Sequence, residues 1–165
     1  MNEQELLAEA YKLGFEHAAI MDAKDLVYVP AYRQYCEENA CGNYGVSDVC
    51  PPLCGTAEAM HGRMTGYRRV LVLQTEFKPD AWNMVEYRKG QRRHNELTEQ
   101  LIEQLGNMEF LVMSAGPWKS FSCMSAYCID ATKMAESCNL LCWGNDGIVR
   151  CFSSVLYDRI DGRAK

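Results

Sequence analysis

The 165-residue chain carries 48% hydrophobic and 10% aromatic residues, enough for one globular domain with a proper core. A net charge of -5 and a pI near 5.2 speak against a nucleic-acid binder. No apolar run approaches the roughly 18 residues that span a membrane. The start, Met1-Asn2-Glu3-Gln4-Glu5, also has neither the basic nor the apolar part of a signal peptide. A cytoplasmic protein is expected, with no nucleic acid and no membrane among its partners.

The first helix is predicted over residues 3–14, where Leu6, Leu7, Ala10 and Leu13 recur at helical spacing and Gly14 can end it. His17 to Asp22 reads as a short buried strand. From Ala23 to Tyr35 a short helix or extended stretch delivers Cys36. The segment Cys36–Cys54 keeps no period of two or 3.6 and is full of turn formers, among them Asn39, Gly42, Asn43, Gly45, Asp48, Pro51 and Pro52. It is expected to be a loop, neither strand nor helix. Thr56 can cap a short helix through Glu58, Met60 and Met64. Arg68 to Phe77, with Val70, Leu71, Val72 and Leu73 at its centre, is the strongest strand signal.

Pro79-Asp80 turns into a long helix, residues 80–105, with Leu97, Leu101, Ile102 and Leu105 on one face and Gly106-Asn107 at its end. Phe110 to Ser114 is another short apolar strand, broken by Gly116-Pro117. A helix is predicted from Ser122 or Ser125 to Leu140, its apolar positions being Met124, Tyr127, Cys128, Ala131, Met134, Ala135 and Cys138. Gly144-Asn145-Asp146-Gly147 is a strong turn signal, and Ile148 to Tyr157 the last strand. The tail from Asp158 to Lys165 is polar and expected to fray. This alternation predicts an α/β fold, with α+β as a variant: a single-domain sandwich of four or five strands in one sheet, helices packed on its faces.

Nine cysteines are many for this length, and odd in number. In a reducing cytoplasm such thiols serve as ligands or core residues sooner than as disulfides. Cys36, Cys41, Cys50 and Cys54 are separated by four, eight and three residues within the predicted loop. A loop this long and irregular usually has a function or an internal tie. For four thiols the simplest tie is a metal, because thiolates are soft donors that select zinc, copper(I) or iron–sulfur clusters.

Cys36-x4-Cys41 fits the looser limit of a zinc knuckle and Cys50-x3-Cys54 comes near it, while the eight-residue gap is short for a zinc ribbon. Cys50-Pro51 has the Cys-Pro form that closes iron–sulfur runs. Gly42, Gly45 and Gly55 would let backbone amides approach cluster sulfurs. The expected metal ligands are therefore Cys36, Cys41, Cys50 and Cys54, holding an iron–sulfur cluster or zinc, a choice the spacing leaves open.

Cys123, Cys128, Cys138 and Cys142 echo those spacings as four, nine and three. Cys128 and Cys138 fall on the apolar face of the predicted helix, however, where cysteine is an ordinary small hydrophobe, and Cys151 falls in a strand. His61 could replace one thiol. His17 reads as a strand-edge residue, and His94 as part of the charged face Arg88, Lys89, Arg92, Arg93 and His94, which is solvated unless it meets an anionic partner. No phosphate loop and no nucleophile elbow is present.

Cys-x4-Cys-Gly-Asn-Tyr-Gly-x4-Cys-Pro-Pro resembles the signature of a family of prokaryotic predicted metal-binding proteins, domain of unknown function 2284. Ala23-Lys24-Asp25-Leu26-Val27 is similar to the segment that precedes the first cysteine there, and Ser114-Ala115-Gly116-Pro117 to its second landmark. Cys123-Met124-Ser125-Ala126-Tyr127-Cys128-Ile129-Asp130 resembles its Ser-Met-Glu-Ala-x-Gly-Ile-Asp helix start. The resemblance implies metal binding and places Cys36, Cys41 and Cys50 on family cysteines, with Cys54 beyond the Cys-Pro-Pro core. Where family members follow Gly-Pro with a run of closely spaced cysteines, this chain has Trp118-Lys119-Ser120-Phe121, so it resembles a shortened member without the second run.

The expected function is a small metal- or iron–sulfur-binding protein engaged in electron transfer, metal handling or structural clamping, with a protein redox partner as one possibility. Two other classes stay open. One is an enzyme with a reactive loop cysteine, which needs a thiolate stabilised by a cation or a helix N-terminus. The other is a partner-binding domain that uses the Arg88–His94 face.

Overall fold

The computed structural model describes residues 1–80 and 83–158. Among them run α1 (Glu3–Leu13), β1 (His17–Asp22), α2 (Arg33–Glu37), α3 (Ala57–Met64), β2 (Arg69–Phe77), α4 (Met84–Glu103), β3 (Phe110–Met113), α5 (Ala131–Ser137) and β4 (Val149–Tyr157), with 3-10 turns at Ala23–Asp25 and Pro30–Tyr32. The four strands form one sheet in the order β1-β2-β4-β3. Every neighbouring pair is antiparallel, with Val72 opposite Ala19 on one side and Ser154 on the other. This is the expected mixed sheet-and-helix architecture in its α+β form. None of the described helices is long and apolar enough to cross a membrane.

Successive side chains of a strand point to opposite faces, and β2 is covered on both. Leu71 and Leu73 join Leu6 and Ala10 of α1, Leu101 of α4, Val112 and Val155 on one face. Val70 and Val72 join Met60 and Met64 of α3, Met134 and Ala135 of α5, and the turn residues Met124, Ala126, Tyr127 and Ile129 on the other. Burial on both sides explains why Val70 to Leu73 is continuously apolar instead of alternating. The helix caps match the chemistry of their residues. Asn2 and Glu5 form a reciprocal capping box on α1, which stops at Gly14 in the left-handed region at φ 116.

The described part of the long helix begins at Met84, where the Asn83 side chain accepts from the Glu86 amide at 2.9 Å. The helix predicted over 80–105 is thus found over Met84–Glu103, with Asp80 in a bend before it; residues 81–82 of that prediction, and the tail from residue 159, lie outside the described residues. Tyr32 and Tyr35 lie on the way into the cysteine loop, Tyr32 closing a 3-10 turn and Tyr35 inside α2.

Two expectations are corrected. The helix predicted from Ser122 or Ser125 to Leu140 is confined to Ala131–Ser137. Its first half is a buried turn instead, because its main chain pairs elsewhere: Val29 donates to the Cys128 carbonyl at 2.8 Å and Asp130 donates to the Val27 carbonyl at 2.9 Å. Cys128 sits at φ 58, a left-handed conformation that a helix cannot contain. The apolar spacing there reflects burial from several sides.

The second correction is His94, which is fully buried and not part of a solvated face. Its ring lies 2.8 Å from the Thr75 hydroxyl and 2.9 Å from that of Ser153, with Phe15 edge-on at 5.4 Å between ring centres. Burial, and then the charge of Arg93, hold its pKa down to about 3.

Candidate metal centre

The cysteine segment is more ordered by its own backbone than its composition suggests. Cys36 sits inside α2, a correction to the expectation that no helix enters the segment. Beyond it the chain turns repeatedly. Asn39 at φ 55 accepts from the Gly42 amide through its carbonyl and from the Tyr44 amide through its side chain, at 3.1 and 3.0 Å. Ser47 donates to Asn43, Cys50 to Ser47 and Cys54 to Cys50 at 3.0–3.1 Å, and Gly45 donates across the loop to Pro51 at 2.9 Å. Gly45 has φ 71, which a side chain would oppose. These turns hold the segment without any bond between sulfurs, since all nine cysteines are free thiols.

Of the four expected ligands, Cys50 and Cys54 are buried, Cys36 is half-buried and Cys41 is exposed. Cys41 lies within electrostatic reach of Cys36 and Cys50 and opposes the ionisation of both through its charge. Cys54 is the neighbour of Cys50 in the same sense, but its own sulfur turns inward, donating toward Met60 Sδ at 3.2 Å. A cavity of about 310 Å³ opens beside the loop, lined by Arg33, Tyr44, Pro51 and Pro52 among others.

Arg33 organises the floor of this region. Its guanidinium donates twice to the Ala126 carbonyl, at 2.9 and 3.0 Å, and also reaches Met60 Sδ at 3.0 Å and Cys54 Sγ at 3.9 Å. Tyr32 Oη donates to Asp130 at 2.9 Å. The turn that precedes α5 is thereby fastened to α2, and Cys123 and Cys128 come with it. Sequence reasoning assigned Cys128 to the core. It is buried, yet its thiol faces the Pro30 carbonyl at 3.8 Å and lies within electrostatic reach of Arg33 and Cys54. The two halves of the spacing echo part company here: Cys138 ends α5 and Cys142 lies 3.8 Å from the Thr132 hydroxyl. No single-sequence signal tied residues 123–128 to residues 33–54.

Burial is the main influence on these thiols. It pushes Cys36 up to about 11 and raises Cys50, Cys54, Cys123 and Cys128 above the ordinary thiol value, against the lowering effect of Arg33 on Cys36, Cys54 and Cys128. None of these five is a poised nucleophile, which needs a depressed pKa. A soft cation suits them better, since it deprotonates the thiols it binds.

Among the described residues, no three His, Cys, Asp or Glu side chains already stand together as the shell of an ion. The chemistry of the sulfur donors fits a thiophilic centre. His61 lies elsewhere: its ring stacks on Tyr28 at 3.9 Å, lining a separate cavity of about 260 Å³ that contains no cysteine.

Beyond Gly116-Pro117, Trp118 and Phe121 exchange main-chain bonds at 3.1 and 2.8 Å around Lys119 at φ 49. A tight turn thus stands where the resemblance would place more cysteines. The family model described as Predicted metal-binding protein (DUF2284) matches residues 19–120, a span that contains the whole loop and ends before Cys123. No curated protein and no solved structure matches the chain.

Proposed function

We propose, for a chain that belongs to the family of predicted metal-binding proteins, that its role is to hold a thiolate-bound centre, an iron–sulfur cluster or zinc, at the loop between Cys36 and Cys54. The observation that carries this reading is the family match, which spans the whole cysteine loop; the reach of Cys41 to both Cys36 and Cys50 across that loop supports it. Cys54 is the loop's own candidate for a fourth donor. Soft sulfur donors favour zinc or iron over hard cations. The turns from Asn39 to Cys54 fix the path of the loop that carries these cysteines, and Arg33 sets α2 against the turn before α5.

The reading is tested on protein purified without oxygen. Elemental analysis is expected to find iron or zinc near one centre per chain. An absorption band in the visible blue identifies a cluster, and its absence with zinc present identifies zinc. Protein that carries neither metal, and takes up neither when supplied with it, refutes the proposal. The alternative of a reactive-thiol enzyme is disfavoured by the raised thiols and would be marked by one cysteine alkylating far faster than the rest at neutral pH.

A further inference from the structure

We propose that the cavity of about 260 Å³ between α3, β4 and the segment after β1 binds a small carboxylic acid with an apolar body. Nothing in this depends on a metal at the loop, because no cysteine lines the cavity.

Main-chain bonds fix the walls. Ala23 donates to the Arg68 carbonyl at 2.8 Å, Tyr67 to that of Met64 at 3.1 Å and Asp130 to that of Val27 at 2.9 Å. Tyr28 pairs with Ile129 as an isolated bridge. The cavity is thus formed by the fold before any ligand arrives, as small-molecule sites usually are. Leu26, Met64, Ile129 and Leu156 give it apolar surface. Its volume lies under the roughly 300 Å³ at which sites for drug-sized molecules begin, so the occupant is small.

The polar groups define the occupant's chemistry. Two of the lining side chains, Tyr28 and His61, stack on each other with ring centres 3.9 Å apart and planes 15° from parallel. The Tyr28 hydroxyl and His61 Nδ1 are both buried, and neither has a hydrogen-bond partner among the described residues. Folded chains pair nearly all such atoms, because desolvation without a bond is costly. Two orphans in one stacked pair call for a partner from outside the chain.

Both atoms can donate. Burial, and then the charges of Cys128 and Glu58, raise the pKa of Tyr28 and keep its proton on, and an imidazole carries a proton on Nδ1 in one of its tautomers. Thr65 is different, having given its proton to the Gly62 carbonyl at 2.9 Å. Lys24 is exposed and adds a cation, and among the described residues that line the cavity no carboxylate opposes it. Three donors, one of them charged, favour an anionic acceptor. An inorganic anion would leave the apolar walls uncovered. A carboxylate on a ring or a short branched chain serves both.

The probe is benzoate, titrated into the full-length chain and followed by NMR. Saturable shifts are expected at residues 23–28, 61–67 and 129, with contacts from the benzoate ring protons to the methyl groups of Met64 and Leu156. Benzyl alcohol keeps the ring and lacks the charge, and it is expected to bind at least about tenfold more weakly. Tyr28→Phe, which keeps the stacked ring, is expected to lose about tenfold for benzoate, the scale of a hydrogen bond to a charged group. Lys24→Met is expected to lose less, up to about fivefold, as for an exposed ion pair.

The inference is overturned by the absence of saturable shifts at those residues or by benzoate contacts that fall elsewhere. Equal affinity for benzoate and benzyl alcohol, or undiminished binding of benzoate to Tyr28→Phe, overturns it as well. The wild-type contacts and the benzyl alcohol comparison decide the matter even if a variant fails to fold. None of these results bears on the metal reading, which stands or falls by the metal content.

Discussion

On the α1–α4 face of the sheet, Leu6, Ala10, Leu71, Leu73, Leu101 and Val155 are shut off from water, and the polar side chains among them are bonded to one another. Within the loop from Cys36 to Cys54, only Cys50, Pro51 and Cys54 are buried. The first region is stabilised by apolar area removed from water, each large side chain contributing about 1.5–3 kcal/mol. The second depends on a string of turn hydrogen bonds, each worth about 1 kcal/mol net. Regions with few buried apolar contacts open locally before the core does. The contrast teaches that the α1–α4 face is complete by itself, whereas the cysteine loop on the other side is held by its own turns and by Arg33's bonds to Ala126.

The sharpest way to break this comparison is to injure the complete face and look for an effect on the other. Leu71→Ala removes a fully buried side chain from β2 and is expected to cost about 2–5 kcal/mol in denaturant unfolding. The loss should be the same in metal-loaded and chelated protein. A loss that appears only in one of them would mean the two faces are not independent.

Acid probes the same face through His94. Its pKa is low in the folded chain, about 3 against an ordinary value of 6.5, so the unfolded chain binds the extra proton between those limits. Stability from this group is full above about pH 6.5 and is lost as the pH falls toward 3, with a slope of up to about 1.4 kcal/mol per pH unit. Urea unfolding at a series of pH values should show a shallower fall for His94→Gln than for wild type. Equal slopes would remove His94 from the account.

On the cysteine face, Arg33→Met deletes the bonds to Ala126 and is expected to cost about 1–3 kcal/mol, read as a lower melting temperature and as loss of amide protection around residues 27–33 and 126–130. The smallest effect is expected of Asp130→Ala. This removes the cap that accepts from Lys133 at 3.0 Å and the partner of Tyr32, at about 1 kcal/mol of thermal stability. Should Asp130→Ala cost more than Leu71→Ala, the ranking of the two faces would be reversed.

Much of the complete face was legible in the sequence. Leu6, Ala10 and Leu13 gave α1 its period, Gly14 its end, and Val70 to Leu73 marked the central strand, because local spacing and burial coincide there. His94 was not legible: its partners Thr75 and Ser153 lie 19 and 59 residues away, and its charged neighbours masked it. On the other face the spacing of Cys36, Cys41, Cys50 and Cys54 could be read directly, but their burial and Arg33's grip on Ala126 could not. The turn at residues 123–129 was mistaken for helix, since Met124, Tyr127 and Cys128 are apolar for tertiary reasons and sit at helical intervals by coincidence.

Hydrogen exchange on the anaerobically prepared protein, with and without a chelator, tests the account most directly. Removing the metal is expected to strip amide protection from residues 36–54 and 123–130 while β2 and α4 keep theirs. Protection of the loop that is identical with and without the chelator would contradict a metal-dependent cysteine face.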